Sequence, residues 1–415
     1  MDRIVGAIAP PGFDVVPHLI SALINQNYSA EAGCGIAVFD NDFVSQMDTG
    51  VAINVFSELR KDLVGSLAVG HNASNADHLQ PHVCNLDLAV AYVIDSNWTT
   101  CEQITGILAD EGDLFRGIKK ALREIFIPFA IIAIDEDHQL IAARNAGRKP
   151  LSYGVFGDGA CGHYFASQSG VIPSGQFVTS VHPGEMVVTN NNGPKRYAAR
   201  PRPDVTRCSM EVMDIQRPDN VCGDREIYSI KVDAGRRLGE IFNQNLGKVD
   251  RSEFQALSIN EGGREIGIGF AQTSGIATDV AGIAKLIYSV PPHAKEMAQK
   301  LGRYRNFHYS PVESLVKGKR VVLVENRLKW MVSSDICQMC LGLGAKEVQL
   351  VSAVIPRREC QHGTDFGRGD FIESNGVLIQ EQLNLTQLLT LSPDELVETM
   401  NIPHRLFCTD CLRRC

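Results

Sequence analysis

The feature that most constrains this chain is a change of pattern near residues 215–230. Before it, short apolar runs bounded by Gly, Asn, Asp and Pro recur at 35–39, 65–69, 86–94, 129–134, 139–143 and 186–189, and each reads as a strand. Apolar residues spaced by three and four mark helices at 18–25, 101–111 and 114–124. Strand runs with a few helices predict a layered α+β domain. After the change, segments alternate: helix 232–246, strand 265–270, helix 276–287, strand 321–324, helix 333–343 and strand 348–354. Such alternation predicts a parallel α/β sheet with right-handed crossovers. The Pro- and Asp-rich stretch Arg217-Pro218-Asp219-Asn220 lies at the junction, which sets the expected domains at 1–225 and 226–415.

Composition narrows the partners. Forty Lys and Arg against 48 Asp and Glu give a net charge of −8, which leaves no electrostatic footprint for nucleic acid or an anionic membrane. Small molecules or proteins are the expected partners. The longest apolar stretch, residues 125–134, is broken by Pro128 and is too short to span a bilayer. The run from Ile4 to Ala9, closed by Pro10-Pro11, lacks the length and cleavage pattern of a signal peptide, so a cytoplasmic location is expected. Twelve cysteines are a surplus for a reducing compartment and point to metal or redox chemistry. The sharpest local signal is Cys408-x-x-Cys411-x-x-x-Cys415, a spacing that brings two thiolates to one centre but leaves it incomplete.

Ala143-Arg144-Asn145-Ala146-Gly147-Arg148-Lys149-Pro150-Leu151 is similar to the "ARDPxGxRPL" turn of glutamine amidophosphoribosyltransferase, a family the order of segments resembles over nearly the whole chain. Phe165-Ala166-Ser167-Gln168, His182-Pro183-Gly184-Glu185, Cys208-Ser209-Met210-Glu211 and Arg217-Pro218-Asp219 follow in register. Gly318-Lys319-Arg320-Val321-Val322-Leu323-Val324 is like the strand that carries the phosphoribosyl-pyrophosphate motif. The resemblance implies an N-terminal αββα amidohydrolase-type domain, N-terminal-nucleophile-like, followed by a type I phosphoribosyltransferase-like parallel-sheet domain and a cysteine-bearing tail. It also implies a homo-oligomer, or association with another family member.

Residue by residue, the implied reaction centres are depleted. Aligning Ile4-Val5-Gly6 on the family's N-terminal motif puts Asp2 where a nucleophilic cysteine belongs. The arginine that would clamp the glutamine carboxylate falls on Ala73. The oxyanion-hole segment falls on Tyr92-Val93-Ile94-Asp95. Cys34 and Cys84 read as core thiols rather than substitutes. In the phosphoribosyl motif, Glu325 keeps one of two acids while Asn326 replaces the other; Met331 and Val332 replace the loop's glycine and threonine. Glu325, Ser333 and Ser334 are the residual ribose and phosphate candidates, although Ser at a helix start is first of all an N-cap. The basic lid is reduced to residues 300–309, with Arg303, Arg305 and His308.

By the same resemblance, Cys208, Cys360, Cys408 and Cys411 fall on the ligand positions of the family's iron–sulfur branch, which implies a 4Fe-4S cluster, with zinc the lesser alternative. Cys222, Cys415 and the Cys337-x-x-Cys340 pair compete for the role, the last pair reading as packing on one helix face. The expectation is an amidophosphoribosyltransferase-like iron–sulfur protein without either activity, in a structural, regulatory or redox-sensing role. The alternative is a divergent, ammonia-dependent transferase that still binds a phosphoribosyl or nucleotide ligand.

Overall fold

A computed structural model describes the chain apart from residues 1, 27–31, 147, 158–161, 173–176, 191, 200–206, 248, 260–261, 286–308, 359, 361–379, 382 and 414–415. Arg303, Arg305, His308, Cys161 and Cys415 thus lie outside the described residues. The chain divides into two compact units. One runs to Cys208 and takes in Asp219–Val221; the other holds Ser209–Pro218 and most of the chain after Val221.

In the first unit β1 (Arg3–Ile8), α1 (Val16–Gln26), β2 (Gly33–Phe39), β3 (Phe43–Thr49) and β4 (Leu67–Ala73) are followed by β5 (His82–Asn85) and β6 (Ala89–Asp95). Two helices, α2 (Trp98–Glu111) and α3 (Leu114–Glu124), precede β7 (Ala130–Asp135) and β8 (Leu140–Arg144). The unit closes with β9 (Ser152–Phe156), β10 (Gly162–Ala166), β11 (Phe177–Ser180), β12 (Glu185–Asn190) and β13 (Gly193–Ala198). These strands form a seven-stranded sheet ordered β11-β9-β10-β1-β4-β2-β3 and a six-stranded sheet ordered β13-β12-β8-β7-β6-β5.

One apolar core, with Ile4, Val69, Val93, Ile132 and Leu140, fills the space between the sheets. A second packs α1 on the larger sheet and a third packs α2 and α3 on the smaller one. The result is the four-layer αββα arrangement. Central strands are covered on both faces, which is why β1 and β7 are buried along their whole length and read as unbroken apolar runs. Ile4–Ile8 of the N-terminal apolar run thus lies in the middle of a sheet, between β10 and β4.

A two-residue device joins α2 to α3. Gly112 ends α2 in the left-handed region at φ 67°, and Asp113 caps α3 by accepting the Arg116 N–H at 2.6 Å. Leu114, Ile118, Ala121 and Leu122 then face the sheet.

The second unit contains α4 (Ile227–Leu246), β14 (Phe254–Ser258), α5 (Gly263–Ser274), β15 (Thr278–Asp279), β16 (Arg320–Arg327), α6 (Trp330–Gly342), β17 (Glu347–Val354), β18 (Gln387–Thr390) and α7 (Pro393–Met400). Five of its strands form one parallel sheet, in the order β15-β14-β16-β17-β18. The strand order reverses beside β14, so the β14/β16 boundary is the switch point where such sheets place ligands.

Two expectations are corrected here. Residues 265–270 are helical, within α5, and 276–287 are not: Thr278–Asp279 and Ile283–Lys285 are short strands, the latter paired with Tyr309–Pro311, and 286–287 lie outside the described residues. The Glu265-Ile266-Gly267-Ile268-Gly269-Phe270 run alternates like a strand because its glycines serve helix packing. A Cβ on Gly269 would lie 1.9 Å from the Val232 carbonyl, and one on Gly235 would lie 2.0 Å from the Ile266 carbonyl, so α4 and α5 meet backbone to backbone. Tertiary packing overrides the local pattern.

Candidate functional site

At the switch point, β16 delivers Glu325 and Asn326 to the strand end, but no open loop follows them. Only Leu328 and Lys329 separate β16 from α6, whose cap position is Lys329. The helix begins at Trp330 rather than at Ser333, so Ser333 and Ser334 sit inside it and neither is its cap. Ser333 Oγ donates toward Glu325, 3.0 Å from Oε2 and 3.2 Å from Oε1, with the Lys329 carbonyl at 3.0 Å. Glu325 has no solvent exposure. Burial pushes its carboxyl up to about 8, against the pull of Ser333, Lys329 and Arg327. A carboxyl that is buried, largely protonated at neutral pH and engaged by its own helix is not presented to ribose hydroxyls. Ser334 is half-buried and makes no hydrogen bond to that acid.

Several of the remaining polar groups meet a segment the sequence reading passed over. Residues Glu211–Ile215 form a π turn, closed by the Gln216 N–H donating to the Glu211 carbonyl at 3.0 Å. From it, Asp214 meets three donors: Arg327 Nε lies 2.9 Å from Oδ2, Lys329 Nζ 3.5 Å from Oδ1, and Asn326 Nδ2 donates to Oδ1 at 3.1 Å. Asn326 Nδ2 also donates to the Met213 carbonyl at 2.9 Å. Lys231, buried on α4, donates to the Gln216 carbonyl at 3.2 Å. Burial pushes its ammonium down, and Glu265 and Asp214 oppose that. One sequence signal could have exposed Asp214: a lone acid amid the apolar run Val212, Met213 and Ile215 needs a partner if it is buried.

The nucleophile position of the first unit is equally occupied. Asp2, at the head of β1, accepts from Ser74 N at 2.8 Å and Ser74 Oγ at 2.6 Å, and its other oxygen lies 3.3 Å from His71 Nε2. Burial pushes the Asp2 carboxyl up, but His71 and Ser74 outweigh it and hold the group well below the usual carboxylate range. Asp2 carries no thiol or hydroxyl of its own; it serves as the acceptor of the Ser74 hydroxyl. At the expected oxyanion hole, the Gln80 side chain takes both backbone groups of Ile94: Ile94 N donates to Oε1 at 2.6 Å and Nε2 donates to the Ile94 carbonyl at 3.0 Å. Asp95 pairs with Lys149 across 2.6 Å, both almost without solvent exposure. Ala73 is buried in β4. Burial pushes the Cys34 thiol up to about 12, helped by Asp48, and raises that of half-buried Cys84 against the pull of a Tyr92 hydrogen bond. Neither is a poised nucleophile.

Of the metal candidates, Cys360, Cys408 and Cys411 belong to the second unit, and Cys208 ends the first. Burial pushes the Cys411 thiol up to about 12, and the neighbouring Cys360 and Cys408 thiols push the same way, so both lie near it. The tail is pinned beside them. The Arg357 N–H donates to the Cys411 carbonyl at 2.7 Å and Arg358 Nε to the Asp410 carbonyl at 2.8 Å. Among the described residues no group of three or more His, Cys, Asp and Glu side chains is set to hold a metal ion. Cys337 and Cys340 are packed in the core under α6 with Val321 and Leu350. Cys222 is buried in the second unit. A cleft of about 570 Å³ opens near this tail, between Ile355, Arg357, Thr390 and Arg413, away from Glu325. Among the described residues no helix is long and apolar enough to cross a membrane.

Comparison with known proteins accounts for this combination of scaffold and altered sites. No family model matches the chain. Amidophosphoribosyltransferase 2, chloroplastic, of Arabidopsis thaliana is 25% identical over 433 residues, covering 94% of this chain and 75% of the relative. The amidophosphoribosyltransferase of Methanothermobacter thermautotrophicus is 22% identical, covering 96% and 90%. Among solved structures, the glutamine phosphoribosylpyrophosphate amidotransferase of B. subtilis, complexed with ADP and GMP, superposes with a TM-score of 0.84 at 21% identity over 99% of this chain and 96% of its own. The sequence relationship spans nearly the full length and the fold is shared along all of it: the chain is similar to amidophosphoribosyltransferases from end to end.

Proposed function

We propose that this chain is a non-catalytic member of the amidophosphoribosyltransferase family, kept for its scaffold and its cysteines in a structural, regulatory or redox-sensing role. The observation that carries the reading is the Glu325–Ser333 contact, which spends the retained acid and the first-turn serine of α6 on each other. Asp2 in place of a nucleophile supports it independently, because members of a unit that act jointly leave little chemistry when several are replaced.

The donor chemistry of Cys360, Cys408 and Cys411 suits iron and sulfide: soft thiols, two of them close enough to Cys411 to act on it, beside a pinned tail. They are not set around a single ion, and a four-iron cube takes one thiolate at each iron, so it needs a wider frame than zinc does. With Cys208 proposed as the fourth ligand, a 4Fe-4S cluster would supply redox sensitivity and a covalent staple. Self-association, or assembly with a catalytic relative, in the cytoplasm completes the proposal.

The test is an assay of phosphoribosylamine formation from phosphoribosyl pyrophosphate with glutamine, and separately with ammonia, on anaerobically purified protein. No turnover in either arm is expected. Turnover with ammonia alone would establish the divergent transferase instead.

A further inference from the structure

The crevice at the β14/β16 switch point contains a built-in anion. Asp214 presents a carboxylate to Arg327, Lys329 and Asn326, three donors on the strand end and its short link to α6. Its side chain is 10% exposed and that of Arg327 is 7% exposed, so the pair is out of water. A carboxylate that pairs with a guanidinium and an ammonium and accepts from an amide has the contacts of a bound oxyanion rather than of a surface ion pair. It comes from a π turn, a single strained turn of the kind proteins keep where a backbone must place one group. Lys231 on α4, which feels both Asp214 and Glu265 of α5, favours a negative charge here; Glu325 on β16, raised by burial and by Asp214, is largely protonated at neutral pH and opposes it little.

We infer that Asp214 is an internal counter-ion occupying an anion site formed by Arg327, Lys329 and Asn326, and that removing its carboxylate opens this site to a small oxyanion such as formate or inorganic phosphate. The two probes share the chemistry, and their sizes separate a carboxylate-shaped vacancy from a phosphate-sized one. This deepens the closed-crevice reading and rests on it.

The experiment compares full-length wild type, Asp214→Ala and Asp214→Asn by thermal denaturation with and without sodium formate or sodium phosphate, against chloride at equal ionic strength. Wild type sets the general, non-saturating response to each salt, including the stabilisation any folded chain gains from an excluded anion such as phosphate, and a selective response is one beyond it. Asp214→Ala should melt several degrees lower and recover at least half of that loss in formate or phosphate, as a ligand that binds only the folded state requires. Asp214→Asn keeps the shape, so it folds even where the alanine variant does not. It should lose stability with less recovery, since its amide still fills the space.

A wild type selectively stabilised by phosphate would mean an open crevice and would overturn the closed-crevice reading itself. A folded alanine variant that ignores both ions would overturn only the counter-ion inference. If the alanine variant does not fold, an asparagine variant as stable as wild type overturns it as well.

Discussion

Ser333 Oγ stands 3.0 Å from Glu325 Oε2, so the helix following β16 grips the acid of its own strand. That contact has a pH signature. The Glu325 carboxyl is raised from 4.5 to about 8, so the stability it contributes is fully present below pH 4.5 and is lost as pH rises through about 8. Glu325→Gln keeps the acceptor and cannot ionise. It should remove this component of the decline, on the order of a few kcal/mol. Urea denaturation at pH 6 and pH 9 checks it: equal loss in both proteins would show that Glu325 ionises without cost.

The Asp95–Lys149 pair in the first unit is buried on both sides. Lys149→Met leaves a carboxylate with no counter-ion and should cost about 3–5 kcal/mol, whereas Asp95→Asn combined with Lys149→Met should recover much of that. A double-mutant cycle measures the difference.

The α4–α5 crossing has no room for a methyl group. Gly269→Ala should destabilise the protein by about 1–3 kcal/mol or more through overpacking, despite alanine's better helix propensity. A stability gain in chemical denaturation would contradict the close approach.

For the cysteines, anaerobic protein should carry about four irons and four sulfides per chain. Cys408→Ser and Cys411→Ser should lose them, while Cys337→Ala and Cys340→Ala, packed in the core, should keep them and lose only stability. Inductively coupled plasma analysis with acid-labile sulfide determination reads both.

Much of the architecture was legible because burial writes itself into patterns. The α+β to α/β change, the apolar run that became β7 and the caps around Gly112 and Asp113 follow from local rules. The α5 error shows where such rules stop: Ile–Gly alternation is a strand in isolation and a helix when Gly235 and Gly269 must touch a neighbouring backbone. The site divides the same way. That Asp2 stands where the resemblance would put a nucleophile could be read from the aligned residues. What fills the gaps could not, because the partnership of Asp214 with Arg327 joins residues more than a hundred positions apart and depends on the folded crevice.

The central claim is that the crevice no longer accepts phosphoribosyl pyrophosphate, and calorimetric titration of the full-length protein with that compound and magnesium tests it most directly. The account predicts no saturable heat at millimolar ligand. Saturable micromolar binding, weakened by Glu325→Ala, would contradict it and restore a working ribose site.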